Sequence, residues 1–218
     1  FANDGNYEIV PFVATLKYPL YFMDFETFMP AIPLFKNSRP YQQLCFQYSL
    51  HFKRNPESGL LHYEFLAKAG NDPRKKFIKS LLRDISSSGD ILVYNAAFEK
   101  TRLKEIAQDF PEYSHAIDNL LSRIKDLMEP FKNKYYYHPE MKGSYSIKAV
   151  LPALVPELSY SDLEISNGEI AMSAFEDLLE MTDKNEIKNT RKNLLLYCQM
   201  DTMAMVRILD VLEKVINN

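Results

Sequence analysis

A chain of 218 residues is long enough to bury one full core, and its 46% hydrophobic content is ordinary for a globular fold. Lys plus Arg number 26 against 29 Asp plus Glu, so no global positive field advertises a polyanionic partner, and only a local patch would serve one. Cys45 and Cys198 form neither a disulfide framework nor a zinc-type spacing, which fits a reducing, cytoplasmic compartment, and no apolar run approaches the roughly 18–20 residues of a membrane span. His51, His62, His115 and His138 are scattered, without a His-x-x-His or Glu-x-x-His pairing. The chain begins Phe-Ala-Asn-Asp, with no methionine or signal-like segment, and is expected to be part of something longer.

Residues 1–18 read as a lead-in, polar and then mixed, within a single domain spanning 1–218. Leu20–Glu26 (Leu-Tyr-Phe-Met-Asp-Phe-Glu) follows Pro19 and predicts a buried strand: a short, aromatic-rich apolar run that ends in two carboxylates. Side chains alternate along a strand, so Asp24 and Glu26 share one face while Phe25 takes the other. Pro30, Pro33 and Pro40 then punctuate an irregular connection. Cys45–Lys53 and Leu60–Ala67 alternate on either side of Asn55-Pro56-Glu57-Ser58-Gly59, predicting a β-hairpin that extends the sheet. Asp72-Pro73 predicts a helix start, with Asp72 as N-cap and Pro73 in the first helical position. Phe77, Ile78, Leu81, Leu82 and Ile85 supply that helix's apolar face, and Ser86–Gly89 ends it.

Ile91–Tyr94 predicts another short strand, with Asn95 and Glu99 at its exit and a helix continuing over Phe98–Ile106. A helix over His115–Ile124 and a short strand over Ile124–Leu127 follow, with Asp126 near the strand's end. Residues 130–145 are aromatic and basic, and Ser146–Leu154 reads as a short helix closed by Pro156. From about Asn185 to the end the pattern is helical. Leu194, Cys198, Asp201, Met205, Ile208, Leu212 and Val215 alternate spacings of four and three, one core-facing seam on which only Asp201 is polar. A carboxylate on such a seam needs a partner, and Tyr197, four residues earlier, carries a hydroxyl one turn away on nearly the same face. There is no internal repeat. The order of elements predicts an α/β fold with a mixed central sheet flanked by helices.

Two neighbouring carboxylates at the end of a buried strand repel each other and lose hydration. A divalent cation relieves both costs, and carboxylate oxygens suit Mg²⁺ and Mn²⁺. The plainer alternative makes Asp24 a turn cap, leaves Glu26 in solvent, and places Asp201 at a solvent-filled gap with Tyr197 in the core.

Together these pieces resemble the DnaQ-like (DEDD) exonuclease superfamily, whose fold is RNase H-like. Asp24-Phe25-Glu26 matches that family's Asp-x-Glu on the first strand. Asn95-Ala96-Ala97-Phe98-Glu99 matches an Asn-x-x-Phe-Asp-type motif entering a helix, and Tyr197-Cys198-Gln199-Met200-Asp201 matches the closing Tyr-x-x-x-Asp of the tyrosine subtype. The histidine subtype would place a histidine where this chain has Leu196. The resemblance covers residues 20–210 in order and spacing. It departs from the family in the second motif, where Glu99 stands for aspartate and reaches one methylene further. The tract from Tyr137-His138-Pro139 to Leu151-Pro152 is also similar to an exonuclease-like domain that in bacteria follows a RecB-like nuclease module, which makes such a module an expected covalent partner.

The resemblance implies hydrolysis of single-stranded nucleic acid from its 3′ end with two Mg²⁺ or Mn²⁺ ions, about 4 Å apart, that activate a water and stabilise the leaving oxygen. In that scheme Asp24 bridges both ions, Glu26 and Asp201 complete one, and Glu99 holds the second directly or through water. Tyr197, with an ordinary pKa of about 10, positions the attacking water rather than acting as a bulk base. Asn95, Phe98 and Lys148 are the substrate-side candidates, with Lys148 contacting phosphate. Tyr135–Tyr137 either stack on bases or belong to the core. Asn95 equally fixes a turn, Asp126 equally ends an element, and the basic runs Arg74-Lys75-Lys76 and Lys188…Arg191-Lys192 read as solvated helix faces. Two rivals share these residues: a non-catalytic module that binds nucleic-acid ends, with Glu99 as its symptom, and an RNase H-like endonuclease.

Overall fold

The strand Leu20–Phe28 (β1) is buried on both faces, which is why its sequence is unbroken apolar as far as Met23. The computed structural model describes residues 9–217, so the first eight residues of the expected lead-in lie outside it. The next part of that lead-in, Ile9–Ala14 (α1), is a short helix that seats Ile9 in the core. β1 pairs antiparallel with Leu44–Lys53 (β2), which turns back into Leu61–Leu66 (β3). On its other edge β1 runs parallel to Asp90–Val93 (β4), and β4 parallel to Ile124–Asp126 (β5). The sheet is mixed, in the order β3-β2-β1-β4-β5, and helices flank both faces.

One face of the sheet, through Tyr21, Met23 and Phe25, meets Arg74–Asp84 (α2), Ala97–Asp109 (α3) and Ser114–Arg123 (α4). After β5 come Glu129–Lys132 (α5), Ile147–Leu154 (α6), Gly168–Asp177 (α7) and the long Lys184–Asn217 (α8). The opposite face, through Leu20, Phe22 and Leu92, packs on α1, α6 and α8. At the far end of β1, Phe28 and Phe46 meet Phe175 of α7, whose ring stacks on Phe46 at 3.9 Å. The seam on α8 is the one its spacing predicts: Leu194, Cys198, Met205, Ile208 and Leu212 are fully buried, and Asp201 lies among them. Each fully buried Leu, Ile or Met contributes about 1.5–3 kcal/mol, so the seam as a whole outweighs the cost of carrying one carboxylate inward.

Most elements differ from the sequence reading by a residue or two at their ends, where helices fray. Several differences are larger. Pro73, not Asp72, occupies the N-cap of α2; the Asp72 carboxylate instead accepts the Arg74 backbone N–H at 3.1 Å and its guanidinium at 2.8 Å. Arg74 is accordingly not on a solvated face. It is buried and also donates to Asp109 at 2.7 Å, because an arginine enters an interior only when its fork is paired. α7 was unforeseen, although Asn167 caps it by accepting the Ile170 N–H at 2.9 Å and Ala171, Phe175 and Leu178 form its buried stripe.

Candidate active site

Alternation along β1 turns Asp24 and Glu26 toward α8 while Phe25 enters the opposite core against Phe77, as the period-two reading requires. The ladder with β2 shifts register between Glu26 and Thr27. That irregularity at the carboxylate end re-aims the chain beside the site. Glu26 is 7% exposed and Asp24 half-buried. A cleft of about 210 Å³ opens there, and its walls are shared by β1, the β4–α3 turn, the start of α6 and the middle of α8.

The second wall is built by a turn. Asn95 takes the left-handed conformation at φ 74°, which asparagine tolerates, and the N–H groups of Asn95 and Ala96 each donate to the Asp126 carboxylate at 2.9 Å. Asp126 thus fixes the turn and does not line the cleft. Glu99 follows in the first turn of α3. It is only 2% exposed, it faces the cleft, and its Oε2 has no hydrogen-bond partner. Phe98 lines the cleft beside it, with the Arg102 guanidinium over its ring at 5.4 Å.

α8 supplies the third wall. The Asp201 Oδ1 accepts the Tyr160 hydroxyl at 2.7 Å, and Tyr197, 5% exposed, lines the cleft one turn earlier. The Cys198 thiol donates to the backbone oxygen and to Oδ2 of Asp24, both at 3.7 Å. Lys148 at the start of α6 donates its ammonium to the Ser166 carbonyl at 2.8 Å, and lies 5.7 Å from the Tyr160 ring centre and 5.8 Å from that of Tyr197. Among the described residues lining the cleft, four carboxylates face this single ammonium.

Crowding of buried like charges dominates the electrostatics. Burial, reinforced by Asp201, Glu26 and Glu99, pushes the Asp24 carboxyl well above the usual carboxylate range, against the Cys198 thiol bond. Burial and Asp201 push Glu26 up likewise, with Lys148 opposing. Glu99 rises to about 8 through burial, with a smaller contribution from Asp126. Asp201 rises only to about 6, because the Tyr160 hydroxyl, Lys148 and the Tyr197 hydroxyl offset its burial. Burial raises both tyrosines and Cys198 as well.

The cleft therefore brings together Asp24, Glu26, Glu99, Tyr197, Asp201, Asn95 and Phe98 from the three motifs, together with Lys148, the separate phosphate-side candidate. The Tyr135–Tyr137 tract does not line it: Tyr135 and Tyr136 pack against the core and Tyr137 is exposed. Two groups were missed. Cys198 sat on the seam that spacing assigned to the core; one ligand atom each from Asp24, Glu26 and Cys198 lie within 4.8 Å of one another. Tyr160 lies in an aperiodic polar stretch, and no local signal marks it. As a test of metal fit, the donor set is oxygen-rich and anionic, and the orphaned Glu99 oxygen is a buried acceptor waiting for a cation or a donor.

A family model described as "Domain of unknown function (DUF2779)" matches residues 21–146, more than half of the chain, and includes Asp24, Glu26 and Glu99. The uncharacterised protein MG366 of Mycoplasma genitalium is 30% identical over 220 residues, covering 92% of this chain and 33% of that protein. Its Mycoplasma pneumoniae homolog is 28% identical over 212 residues (88% and 32%), and the uncharacterised protein UU173 of Ureaplasma parvum is 27% identical over 237 (95% and 33%). The chain thus spans about a third of the length of these relatives. No solved structure matches it. No helix among the described residues is long and apolar enough to cross a membrane.

Proposed function

We propose that this chain, which belongs to the DUF2779 family, is a metal-dependent 3′-5′ exonuclease domain of RNase H-like fold acting on single-stranded nucleic acid. The observation that carries the reading is the convergence of four carboxylates from β1, α3 and α8 on one cleft, with the Glu99 Oε2 left unpaired. The mixed sheet with helices on both faces supports the fold assignment. Asp24, Glu26, Glu99 and Asp201 are the residues that would hold two Mg²⁺ or Mn²⁺ ions. When bound, such ions supply an activated water and counter-charge for the phosphodiester and its leaving oxygen.

The chain's own residues do the rest. The Tyr160 hydroxyl locks the Asp201 carboxylate at one oxygen, which keeps its geometry fixed through turnover. The Tyr197 hydroxyl, beside Asp201, orients the attacking water. Lys148 offers its ammonium to a phosphate oxygen in exchange for the Ser166 carbonyl, and Phe98, backed by Arg102, presents a ring on which a base can stack. The glutamate in the second motif favours a working site over a lapsed one, since Glu99 lines the cleft and keeps a buried oxygen without a hydrogen-bond partner. In the longer relatives the remaining two thirds leave room for a linked RecB-like nuclease module, and the two free thiols suit a cytoplasmic setting.

Linear and closed circular single strands of DNA and RNA, incubated with Mn²⁺ or with EDTA, test this reading. Linear strands should shorten only with metal while circles persist. Cleavage of circles would replace the exonuclease with an endonuclease, and binding of ends without any cleavage would leave only the non-catalytic module.

A further inference from the structure

The sheet ends at β3, which pairs with β2 and, among the described residues, with no other strand. Ala67, just past β3, donates its N–H to the Phe46 carbonyl at 2.8 Å. Antiparallel alternation therefore aims the backbone groups of His62, Glu64 and Leu66 away from β2, at the outer edge. The Arg191 guanidinium closes the Leu66 carbonyl at 3.1 Å, while the outward groups of His62 and Glu64 bond to no described residue. Edges are commonly blunted by proline, lysine or a bulge. β3 carries none of these: it reads Leu-His-Tyr-Glu-Phe-Leu, pairs with β2 without a register shift, and leaves Leu61 and Tyr63 exposed.

α8 runs beside this edge in the opposite direction, since Arg191 meets Leu66 while Ser49 links His62 to Thr202. Between helix and edge lies a groove of about 560 Å³. Ile187, Leu195 and Leu196 give it an apolar lining, and the exposed Lys184, Lys188 and Lys192 stand along it. A spacing of four puts these ammonium groups on one helix face, each about 6 Å further along the axis. None of the three forms an ion pair among the described residues. Glu64 is the one carboxylate among the described residues lining the groove. No aromatic ring is among them, so the groove offers a nucleobase nothing to stack on.

We propose that the β3 edge and this groove bind an extended acidic peptide of a partner protein, which adds a strand to the sheet. Its backbone bonds to the open N–H and C=O groups of His62 and Glu64. Every second side chain of the added strand faces α8, at a repeat of about 6.6–6.8 Å that nearly matches the rise between the lysines. Asp or Glu at those positions meets Lys184, Lys188 and Lys192. The residues between them fall on the face of Leu61 and Tyr63 and, when apolar, cover both. The groove shares no described lining residue with the carboxylate cleft, so the peptide leaves that cleft open.

Fluorescent peptides of the six-residue length of β3, titrated with the 218-residue chain in EDTA and followed by anisotropy, test this. One alternates Val and Glu, a second alternates Val and Lys, and a third is the acidic peptide with alternate backbone nitrogens methylated. A labelled oligothymidine strand is the fourth probe, and Lys188→Glu/Lys192→Glu is compared with wild type. The expected result is saturable binding of the Val/Glu peptide that slows hydrogen exchange of the His62 and Glu64 amides. The double substitution, the methylation and the exchange of Glu for Lys should each weaken it at least about 10-fold. No saturable binding of the Val/Glu peptide would overturn the proposal, and equal binding of the methylated peptide would overturn strand addition. Oligothymidine bound more tightly than the acidic peptide, and lost in the lysine variant, would give the groove to nucleic acid instead. The wild-type comparison of the peptides decides on its own should the double variant fold poorly.

Discussion

The Tyr160 hydroxyl donates to the Asp201 Oδ1 at 2.7 Å, and this bond joins the loop after α6 to the middle of α8. It also holds the Asp201 carboxyl down, to about 6, against burial that pushes it higher. Tyr160→Phe removes the donor and leaves the ring. The carboxylate then loses support for its charged form, its pKa rises, and protons compete with metal up to a higher pH. Mn²⁺ binding followed against pH should show its acid limb displaced upward, with kcat reduced about 10-fold or more at neutral pH. An acid limb that stays in place would mean the bond does no electrostatic work.

Asp24→Asn and Tyr197→Phe should separate ligand from positioner. The first keeps side-chain size but removes a charge shared by the whole cluster, and activity should fall by at least about 10²–10³-fold together with Mn²⁺ affinity. The second deletes a hydroxyl and leaves every carboxylate, so Mn²⁺ affinity should stay near wild type while kcat drops. Calorimetric Mn²⁺ titration beside single-turnover cleavage compares the two. Loss of metal binding in Tyr197→Phe as complete as in Asp24→Asn would refute the assignment.

Metal-free stability gives a prediction that does not depend on substrate. Burial lifts the Glu99 pKa to about 8, above its unfolded value of about 4.3. The folded state therefore binds more protons between those values, and stability falls as pH rises through the window. Glu99→Gln mimics the neutral form. In EDTA it should melt clearly above wild type at pH 8.5, with the gap narrowing steadily as the pH falls and closing only below about pH 4. Saturating Mn²⁺ should remove or reverse the difference at pH 8.5, since only the charged residue rewards the ion. Equal melting temperatures at pH 8.5 in EDTA would contradict the strained-acid picture of this site.

Much of the site was legible because its positions are set by short periods. Alternation along Leu20–Glu26 is enough to put Asp24 and Glu26 on one face, and spacings of four and three are enough to put Asp201 on the buried seam of α8. Glu99 was legible as the exit of a strand into a helix. What periodicity cannot carry is a partner chosen by tertiary geometry. Tyr160 reaches Asp201 from a segment without regular pattern, and Arg74 turns inward only because Asp109, 35 residues away, waits for it. Cys198 was visible but silent, since a cysteine on an apolar seam looks like any small core residue. α7 was missed for a different reason: its Asn167 cap and Ala171–Phe175–Leu178 stripe are short, and a strongly polar stretch precedes them.

A second titration sits beneath the other side of α8. The His51 Nδ1 shares a hydrogen bond with the Thr202 Oγ1 at 2.8 Å, Ser49 bridges Thr202 and the His62 Nε2, and the two imidazoles lie 4.5 Å apart. Burial, with His62 as a lesser cause, lowers the His51 pKa from 6.5 to about 4. The folded state thus binds fewer protons than the unfolded chain between those values, and stability is lost as pH falls from 6.5 toward 4. An NMR titration should find the His51 ring neutral at pH 5 in the folded protein. A ring already protonated at pH 5 in a protein that remains folded would be inconsistent with the network.

The central claim is tested most directly by single-turnover reaction of a 5′-labelled single strand with Mn²⁺, run in parallel for wild type and Asp24→Asn and again in EDTA. The account predicts a ladder of 5′-labelled products shortening from the 3′ end for wild type with metal, and an intact strand in the other two reactions. Label released as mononucleotide at the first time points, or a strand left intact by wild type that calorimetry shows to be saturated with Mn²⁺, would contradict it.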